Sequence, residues 1–78
     1  MPVDLELLGQ LIRKEREQRQ LSQEGLAALS GLSRTYLGEI ERGAAMLSFA
    51  SLIAIADGFN MQPSELVLRY EKELAKRS

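Results

Sequence analysis

Polar side chains between residues 23 and 42 are of the kinds that bind nucleic acid, and few residues in the chain could support catalysis. The guanidinium fork of Arg34 can bond guanine through two hydrogen bonds, and that of Arg42 can neutralise a phosphate. The amide of Gln23 can donate to a phosphate oxygen. The chain contains no cysteine and no histidine, which excludes zinc sites built on those ligands and serine–histidine–aspartate triads. We therefore expect no enzyme, and no catalytic residue, metal or cofactor.

Length and composition indicate one small folded domain over residues 1–78. Hydrophobic residues make up 45% of the chain and charged residues 27%, which argues against a disordered chain. A chain of this size buries only roughly 60% of its unfolded surface, and small domains without disulfides often recruit a second subunit. The longest apolar stretch, residues 49–56, is too short to cross a bilayer, and the N-terminus lacks the basic start of a signal peptide. We expect a cytoplasmic protein with no membrane partner.

Apolar residues at helical spacing, preceded by capping side chains, predict five helices, no strand and an all-α fold. Asp4, Ser22, Ser33 and Ser48 are suited to cap the first four helices, and Pro63 suits the first turn of the fifth. Glycines at 31, 43 and 58 are expected to end the second, third and fourth helices. The predicted helices cover residues 5 to about 19, 23–30, 34–42, 49 to about 57, and 63 to about 76.

The same spacing predicts which faces are buried. In the first helix the expected core face is Leu5, Leu8, Leu11 and Ile12, and the charged residues, Glu15 among them, are expected to face water. In the second helix the expected inner residues are Leu26, Ala27 and Leu29.

Four residues predict how the second and third helices pack. Ala27 is small enough for the two helices to approach closely, and Gly31 makes the tight turn between them. Leu37 and Ile40 anchor the third helix to the core through one face. The residues left outward on the third helix are then Arg34, Thr35, Gly38, Glu39 and Arg42.

Over roughly residues 8–66 the chain resembles the Cro/lambda-repressor, or XRE-type, helix-turn-helix family. The matching stretches are LSQE at 21–24, LA at 26–27, Gly31, SRTYL at 33–37 and IERG at 40–43. The resemblance implies a five-helix lambda-repressor-like DNA-binding domain whose helix-turn-helix spans about 23–42. It also implies that the third helix enters the major groove, and that Glu41 pairs with Arg16 of the first helix. Two features depart from the family pattern: Gly25 replaces the usual acidic residue, and the loop at 44–47 lacks the basic or proline residues often found there.

Within this frame, each expected DNA-binding residue has a simpler alternative. Arg34 reads guanine, or else contacts phosphate or remains in solvent; Thr35 meets a base or a thymine methyl, or packs at the helix start. Gln23 and Arg42 bind phosphate, or are solvated. The full predicted DNA-binding set is Gln23, Ser33, Arg34, Thr35, Tyr36, Gly38, Glu39 and Arg42.

The other members of the set are less decided by sequence. Ser33 is a helix cap first and a DNA contact second. Tyr36 donates its hydroxyl to a phosphate or packs at the helix edge. Gly38 costs about 1 kcal/mol relative to alanine inside a helix, so it marks either a close approach to DNA or a tolerated small residue. Glu39 accepts from a cytosine amino group, or repels phosphates in wrong registers. The net charge of −1 counts weakly against nucleic acid, but the charge of the docking face matters more than the total.

The fourth helix predicts a dimer, because it is apolar nearly all round and needs cover on two sides. One side packs on its own core and the other meets a second copy; the alternative is a monomer that uses the apolar stripe to close its own core. The fifth helix, 63–76, continues the stripe. The predicted dimer residues are Phe49, Leu52, Ile53, Leu66, Tyr70 and Leu74.

These observations predict a sequence-specific DNA-binding transcriptional regulator. Two subunits would place their recognition helices about 34 Å apart on an inverted repeat in double-stranded DNA, and no small-molecule effector is evident. The short chain and its opening at Ser33–Tyr36 also resemble the controller proteins of restriction–modification systems, although phage-type repressors share these features. The alternative is an antitoxin or other protein-interaction module that uses the same fold.

Overall fold

Five helices form in the computed structural model, which describes residues 2–77. They are α1 (Leu5–Gln18), α2 (Gln23–Ser30), α3 (Arg34–Glu41), α4 (Phe49–Gly58) and α5 (Pro63–Ala75). No strand occurs within residues 2–77, so the predicted all-α class is confirmed. The terminal residues of the predicted domain, Met1 and Ser78, lie outside the described residues. None of the helices in this range combines the length and apolar character needed to cross a membrane.

The predicted caps begin the first four helices. Asp4, Ser22, Ser33 and Ser48 each accept a hydrogen bond from the backbone N–H three residues later, at 2.9–3.1 Å. Each such cap contributes about 1 kcal/mol to helix stability. Gly31 ends α2 in the left-handed conformation with φ +70°, which a residue with a Cβ adopts only at a cost. The turn that sets α3 against α2 therefore forms as the sequence predicts.

The end of α4 differs from its prediction. Gly58 does not stop the helix; α4 includes it, and Phe59 is the cap residue, followed by Asn60 at φ +57°. A Cβ built at Gly58 would lie 3.1 Å from Cδ1 of Leu26. Gly58 therefore serves the close approach of α4 to α2 rather than helix termination. At the end of α3 the helix stops one residue before the prediction, with Arg42 as its cap.

The core lies where the five helices meet, and it holds α3 by the two predicted anchors. Leu37 and Ile40 are buried there with Ile12, Leu26 and Ile55. Burying an aliphatic side chain of this size stabilises the fold by about 1.5–3 kcal/mol. The inner face of α3 is consequently committed to the core, and its outer face is free for another role.

Leu29 and Glu15 are oriented differently from their predictions. Leu29 is 57% exposed, because the inward face of α2 is centred between Leu26 and Ala27 and Leu29 lies to one side of it. Glu15, expected in water, is only 4% exposed. It is buried because Arg19 and Arg69 both reach its Oε1, at 2.8 and 2.7 Å. This cluster ties α5 to α1.

Gly9 is a structural residue that the spacing of apolar side chains did not reveal. It faces the C-terminal end of α3, where a Cβ would lie 2.6 Å from the carbonyl oxygen of Glu41 and closer still to that of Ile40. Both obstacles are backbone atoms, which cannot swing aside. The contact between α1 and α3 therefore requires glycine at this position.

Candidate nucleic-acid interface

The outer side of the helix-turn-helix is open at both ends of α3. Arg34 and Thr35 are exposed at its start, Glu39 is half-buried, and Arg42 is exposed at its end. Leu37 and Ile40 hold the opposite side in the core. A short helix anchored in this way can present its first turn to base edges in a groove. The arrangement matches the expected geometry for four of the predicted DNA-binding residues.

Glu41 links three helices at the base of this surface. Its two carboxylate oxygens accept from Nε and Nη2 of Arg16, at 2.7 and 3.0 Å, and Oε1 also accepts from Nε2 of Gln23 at 3.0 Å. Arg16 donates further to the carbonyl of Leu21 at 2.8 Å. Hydrogen bonding to Glu41 raises the pKa of Arg16 above its already high ordinary value, against the opposing effect of burial. The predicted pairing of Glu41 with Arg16 is confirmed.

The start of α3 has a capping residue, Ser33, and an exposed cationic side chain, Arg34. Ser33 accepts from the N–H of Tyr36 at 3.1 Å, so its structural role as a cap is confirmed. Arg34 lies 3.6 Å from Oε1 of Glu24 on α2, with both side chains mostly exposed. An exposed pair of this kind is worth less than about 1 kcal/mol. Arg34 can therefore leave Glu24 at little cost when a stronger partner arrives.

Tyr36 joins α3 to the loop that precedes α4. Its hydroxyl donates to the carbonyl oxygen of Met46 at 2.9 Å and accepts from Oγ of Ser51 at 3.4 Å. Oγ of Ser51 in turn accepts from Oγ of Ser48 at 2.8 Å. The hydroxyl of Tyr36 is thus hydrogen-bonded within the protein, which agrees with the alternative that Tyr36 packs at the helix edge. Its contact with phosphate stays a prediction.

Gly38 does not face outward, contrary to the prediction. It is buried, and a Cβ at this position would lie 3.2 Å from Nη1 of Arg42 and 3.7 Å from Oε1 of Gln23. The two polar side chains lie across the helix backbone because no side chain is there to hold them off. The structure therefore places Gln23 and Arg42 on either side of the same glycine, which spacing alone did not predict, since Gln23 begins α2 and Arg42 caps α3.

The predicted dimer surface is only partly exposed. Phe49 is 76% exposed and Ile53 and Leu74 are also open, whereas Leu52 and Tyr70 are half-buried. Leu66 is fully buried in the core and also lines the apolar groove beside this surface, so it does not present an exposed side chain, and its place in an interface stays a prediction.

Beside this surface lies an open apolar groove of about 360 Å³. Its walls include Phe49, Leu52, Val67 and Tyr70. The Tyr70 hydroxyl accepts from the backbone N–H of Asp4 at 2.9 Å, which holds the N-terminal segment beside the groove.

Glu15 is the buried charge that sequence reasoning placed wrongly. Burial by itself raises the pKa of this carboxyl, but hydrogen bonds from Arg19 and Arg69, together with their charges, outweigh burial and hold the pKa below its ordinary value of 4.5. The guanidinium of Arg19 also lies 4.7 Å above the ring of Phe59. The cluster of Glu15, Arg19, Arg69 and Phe59 does not include α3; it holds α1, α5 and the end of α4 together. Among residues 2–77, no group of acidic residues is arranged to hold a metal ion.

Comparison with known proteins relates this chain to one family and to several solved structures. The helix-turn-helix family model HTH_3 matches residues 12–66, which include all of α2, α3 and α4. The control protein C.SmaI from Serratia marcescens is 39% identical over 64 residues, which are 82% of this chain and 76% of that protein.

Two solved structures of controller proteins superpose on most of this chain. The restriction–modification controller C.AhdI from Aeromonas hydrophila is 42% identical with a TM-score of 0.79, over 83% of this chain and 98% of that one. The controller C.Esp1396I, crystallised as a tetramer with its natural operator, is 31% identical with a TM-score of 0.85, over 96% of this chain and 99% of that one.

Proposed function

The chain belongs to the helix-turn-helix family, and on that premise we propose that it is a sequence-specific DNA-binding transcriptional regulator that acts as a homodimer. The observation that carries the proposal is the division of α3 into two sides. Leu37 and Ile40 are buried in the core, whereas Arg34, Thr35 and Arg42 lie on the exposed side. The same fold is present in C.Esp1396I, which was crystallised with its operator.

Six of the predicted side chains have a proposed role on the duplex. Arg34 and Thr35, at the start of α3, read base edges in the major groove. Gln23 and Arg42 bind backbone phosphates, which fix the register of the protein on DNA but carry no sequence information. Tyr36 contacts phosphate once DNA displaces its bond to Met46. Glu39 lies beside the readers and disfavours bases that offer no donor.

The homodimer forms through the exposed apolar face of α4. Phe49 and Ile53 leave a large apolar area in water, next to the groove lined by Leu52 and Val67. Contiguous apolar surface of this kind marks interaction sites in small proteins. A two-fold axis at this face gives two recognition helices about one DNA turn apart, and hence an inverted-repeat target.

The regulated genes are proposed from the relatives. C.SmaI is a control protein and C.AhdI a restriction–modification controller protein by name, and we place this chain in the role of C.AhdI. Nothing in these relatives favours a toxin-covering module. The family is one of DNA-binding regulators rather than enzymes, and the chain is proposed to have no catalytic activity and to act in the cytoplasm, where bacterial DNA lies.

Selection of binding sites from random duplexes tests DNA recognition directly. The purified protein is expected to enrich an inverted repeat whose half-site centres lie about 10 base pairs apart. Failure to enrich any sequence, by a protein shown to be folded, would overturn the proposal. Recovery of single half-sites without symmetry would remove the dimer and leave the DNA-binding role.

Light scattering tests the dimer face separately. Phe49→Ser removes the most exposed aromatic residue and is expected to shift the mass at micromolar concentration from dimer towards monomer. Leu29→Ser is the matched control, because Leu29 is also exposed but lies on α2, outside the groove. A monomeric mass for the unsubstituted protein, with and without DNA, would contradict the dimer.

A further inference from the structure

Two oppositely charged side chains meet between the second and third helices. Nε of Arg34, in the first turn of α3, lies 3.6 Å from Oε1 of Glu24, in the first turn of α2. Both side chains are mostly exposed, at 63% for Arg34 and 77% for Glu24. The residue proposed to read guanine is therefore paired with a carboxylate of its own chain when no DNA is bound.

The pairing cancels the charge of Arg34 without using up its hydrogen-bonding end. A guanidinium carries five N–H donors in a fixed fork, and the contact with Glu24 is made at Nε. Guanine offers O6 and N7 to the fork of an arginine in the major groove. Arg34 can therefore bond guanine without first giving up Glu24.

The cancelled charge matters because the proposed DNA-binding surface has few cations. Arg34 and Arg42 are the two cations between residues 23 and 42, and both are exposed. Binding to DNA of unrelated sequence depends on cations that neutralise phosphates. While Arg34 is paired with Glu24, unrelated DNA therefore meets one uncompensated arginine in this segment, Arg42.

We propose that Glu24 is a specificity-determining residue, which withholds Arg34 from the phosphates of unrelated DNA and leaves it able to read guanine in the target. The inference rests on the proposed DNA-binding function and adds how target and unrelated sequences are told apart. An exposed ion pair and a single phosphate contact are of similar strength, so exchanging one for the other gains little. Two hydrogen bonds to guanine give a stronger interaction than either.

Glu24→Gln tests this role because it removes the charge and keeps the length of the side chain. Glu24 is mostly exposed and glutamine is as good a helix former as glutamate, so the variant is expected to fold. Without its carboxylate partner, Arg34 gains a phosphate contact on unrelated DNA. On the target it gains none, because guanine already occupies it.

The expected change follows from the value of one phosphate contact. Such a contact contributes a slope of about 0.9 in log K against log salt, which is about fivefold in affinity at physiological salt relative to about 1 M. The ratio of target to unrelated affinity is therefore expected to fall about fivefold in Glu24→Gln, through tighter binding to unrelated DNA. The salt dependence on unrelated DNA should become steeper by about one unit.

Fluorescence anisotropy across a salt series measures both affinities, on a duplex selected by the unsubstituted protein and on a scrambled duplex of the same composition. Equal tightening on the two duplexes would mean that Glu24 repels all DNA alike, and would overturn the proposal. Weaker binding to the target with no change on the scrambled duplex would make Glu24 a residue that orients Arg34, and would overturn the proposal as well.

Glu17→Gln is the matched control. Glu17 also belongs to an exposed ion pair, with Nε of Arg13 at 3.2 Å, and its loss changes the net charge by the same amount. Because that pair lies on α1, away from the proposed readers, the affinity ratio is expected to stay within about twofold. A fall equal to that of Glu24→Gln would make total charge the cause and overturn the proposal.

An Arg34→Ala background shows whether Glu24 acts through Arg34. There, Glu24→Gln has no arginine to release, and the affinity ratio is expected to remain that of Arg34→Ala alone. A further fivefold fall would overturn the proposed coupling. If the unsubstituted protein prefers no duplex, the proposed function itself fails, whereas a preference that Glu24→Gln leaves intact removes this inference alone.

Discussion

Removal of the Glu41 carboxylate is the sharpest test of how α3 is held. Glu41 is 3% exposed and Arg16 is 11% exposed at their side chains, and the pair has two hydrogen bonds. Glu41→Ala leaves a buried guanidinium with only the carbonyl of Leu21 as acceptor, and it also removes the acceptor of Gln23. Three helices therefore lose a shared partner in one substitution.

The expected loss is large relative to the stability of so small a domain. Breaking a buried ion pair by removing one partner costs about 3–5 kcal/mol. A chain of this length has a free energy of unfolding of about 4–12 kcal/mol, at roughly 0.05–0.15 kcal/mol per residue. Glu41→Ala is therefore expected to remove between about a quarter and all of the stability. Glu41→Gln keeps a neutral acceptor and should lose less.

Urea denaturation followed by circular dichroism measures this loss, with protein concentration held constant because the proposed dimerisation would also contribute to stability. Glu17→Ala is the control: it breaks a pair with Arg13 in which both side chains are mostly exposed, and it should cost less than about 0.5 kcal/mol. A loss below about 1 kcal/mol for Glu41→Ala, or one no larger than that of Glu17→Ala, would refute the reasoning.

Three further predictions concern packing, pH and base reading. Gly9→Ala should destabilise the fold by about 2 kcal/mol or more, because its Cβ would meet backbone carbonyls of α3 and overpacking is costly where nothing can yield. The stability that the ionised Glu15 contributes should be present above pH 4.5 and be lost as the pH falls through its lower folded pKa, so Glu15→Gln should flatten the acid side of the stability curve. Arg34→Ala should cost about 1–3 kcal/mol of DNA-binding free energy and relax preference at one base position.

Each of the three has an outcome that contradicts it. A Tm for Gly9→Ala equal to that of the unsubstituted protein would mean that α1 and α3 can separate without cost. Parallel stability curves below pH 4.5 for the protein and Glu15→Gln would remove the carboxylate from acid unfolding. An equal loss of affinity by Arg34→Ala on all DNA sequences would make Arg34 a phosphate ligand. Arg13→Ala, on the exposed side of α1, is the control for the loss of one positive charge.

Helix positions were predictable from sequence because their causes are local. α2 begins after Ser22 and ends at Gly31, as predicted, since a cap and a left-handed turn depend only on the few neighbouring residues. The buried pair Leu37 and Ile40 followed from helical spacing. The end of α4 was predicted wrongly because glycine at position 58 allows close packing against Leu26 of another helix and does not end its own helix.

The sequence predicted which residues lie at the candidate site, but not which groups within the protein Gln23 and Tyr36 hydrogen-bond to. The family resemblance supplied the pair of Glu41 and Arg16, whereas Gln23 was expected at a phosphate and is found bonded to Glu41. Tyr36 was left open between phosphate and packing, and its bond to Met46 depends on the path of a loop that no periodicity describes.

Caps, turns and apolar spacing act over one or two helical turns, so the amino-acid sequence was enough to predict the number of helices, most of their ends and the buried side of α3. Helix packing, by contrast, is what buries Glu15 and Leu66 and what brings Gln23 and Arg42 each within 4 Å of the position of a Cβ at Gly38. These facts depend on how helices cross, and a crossing brings together residues whose separation along the chain carries no periodic signal.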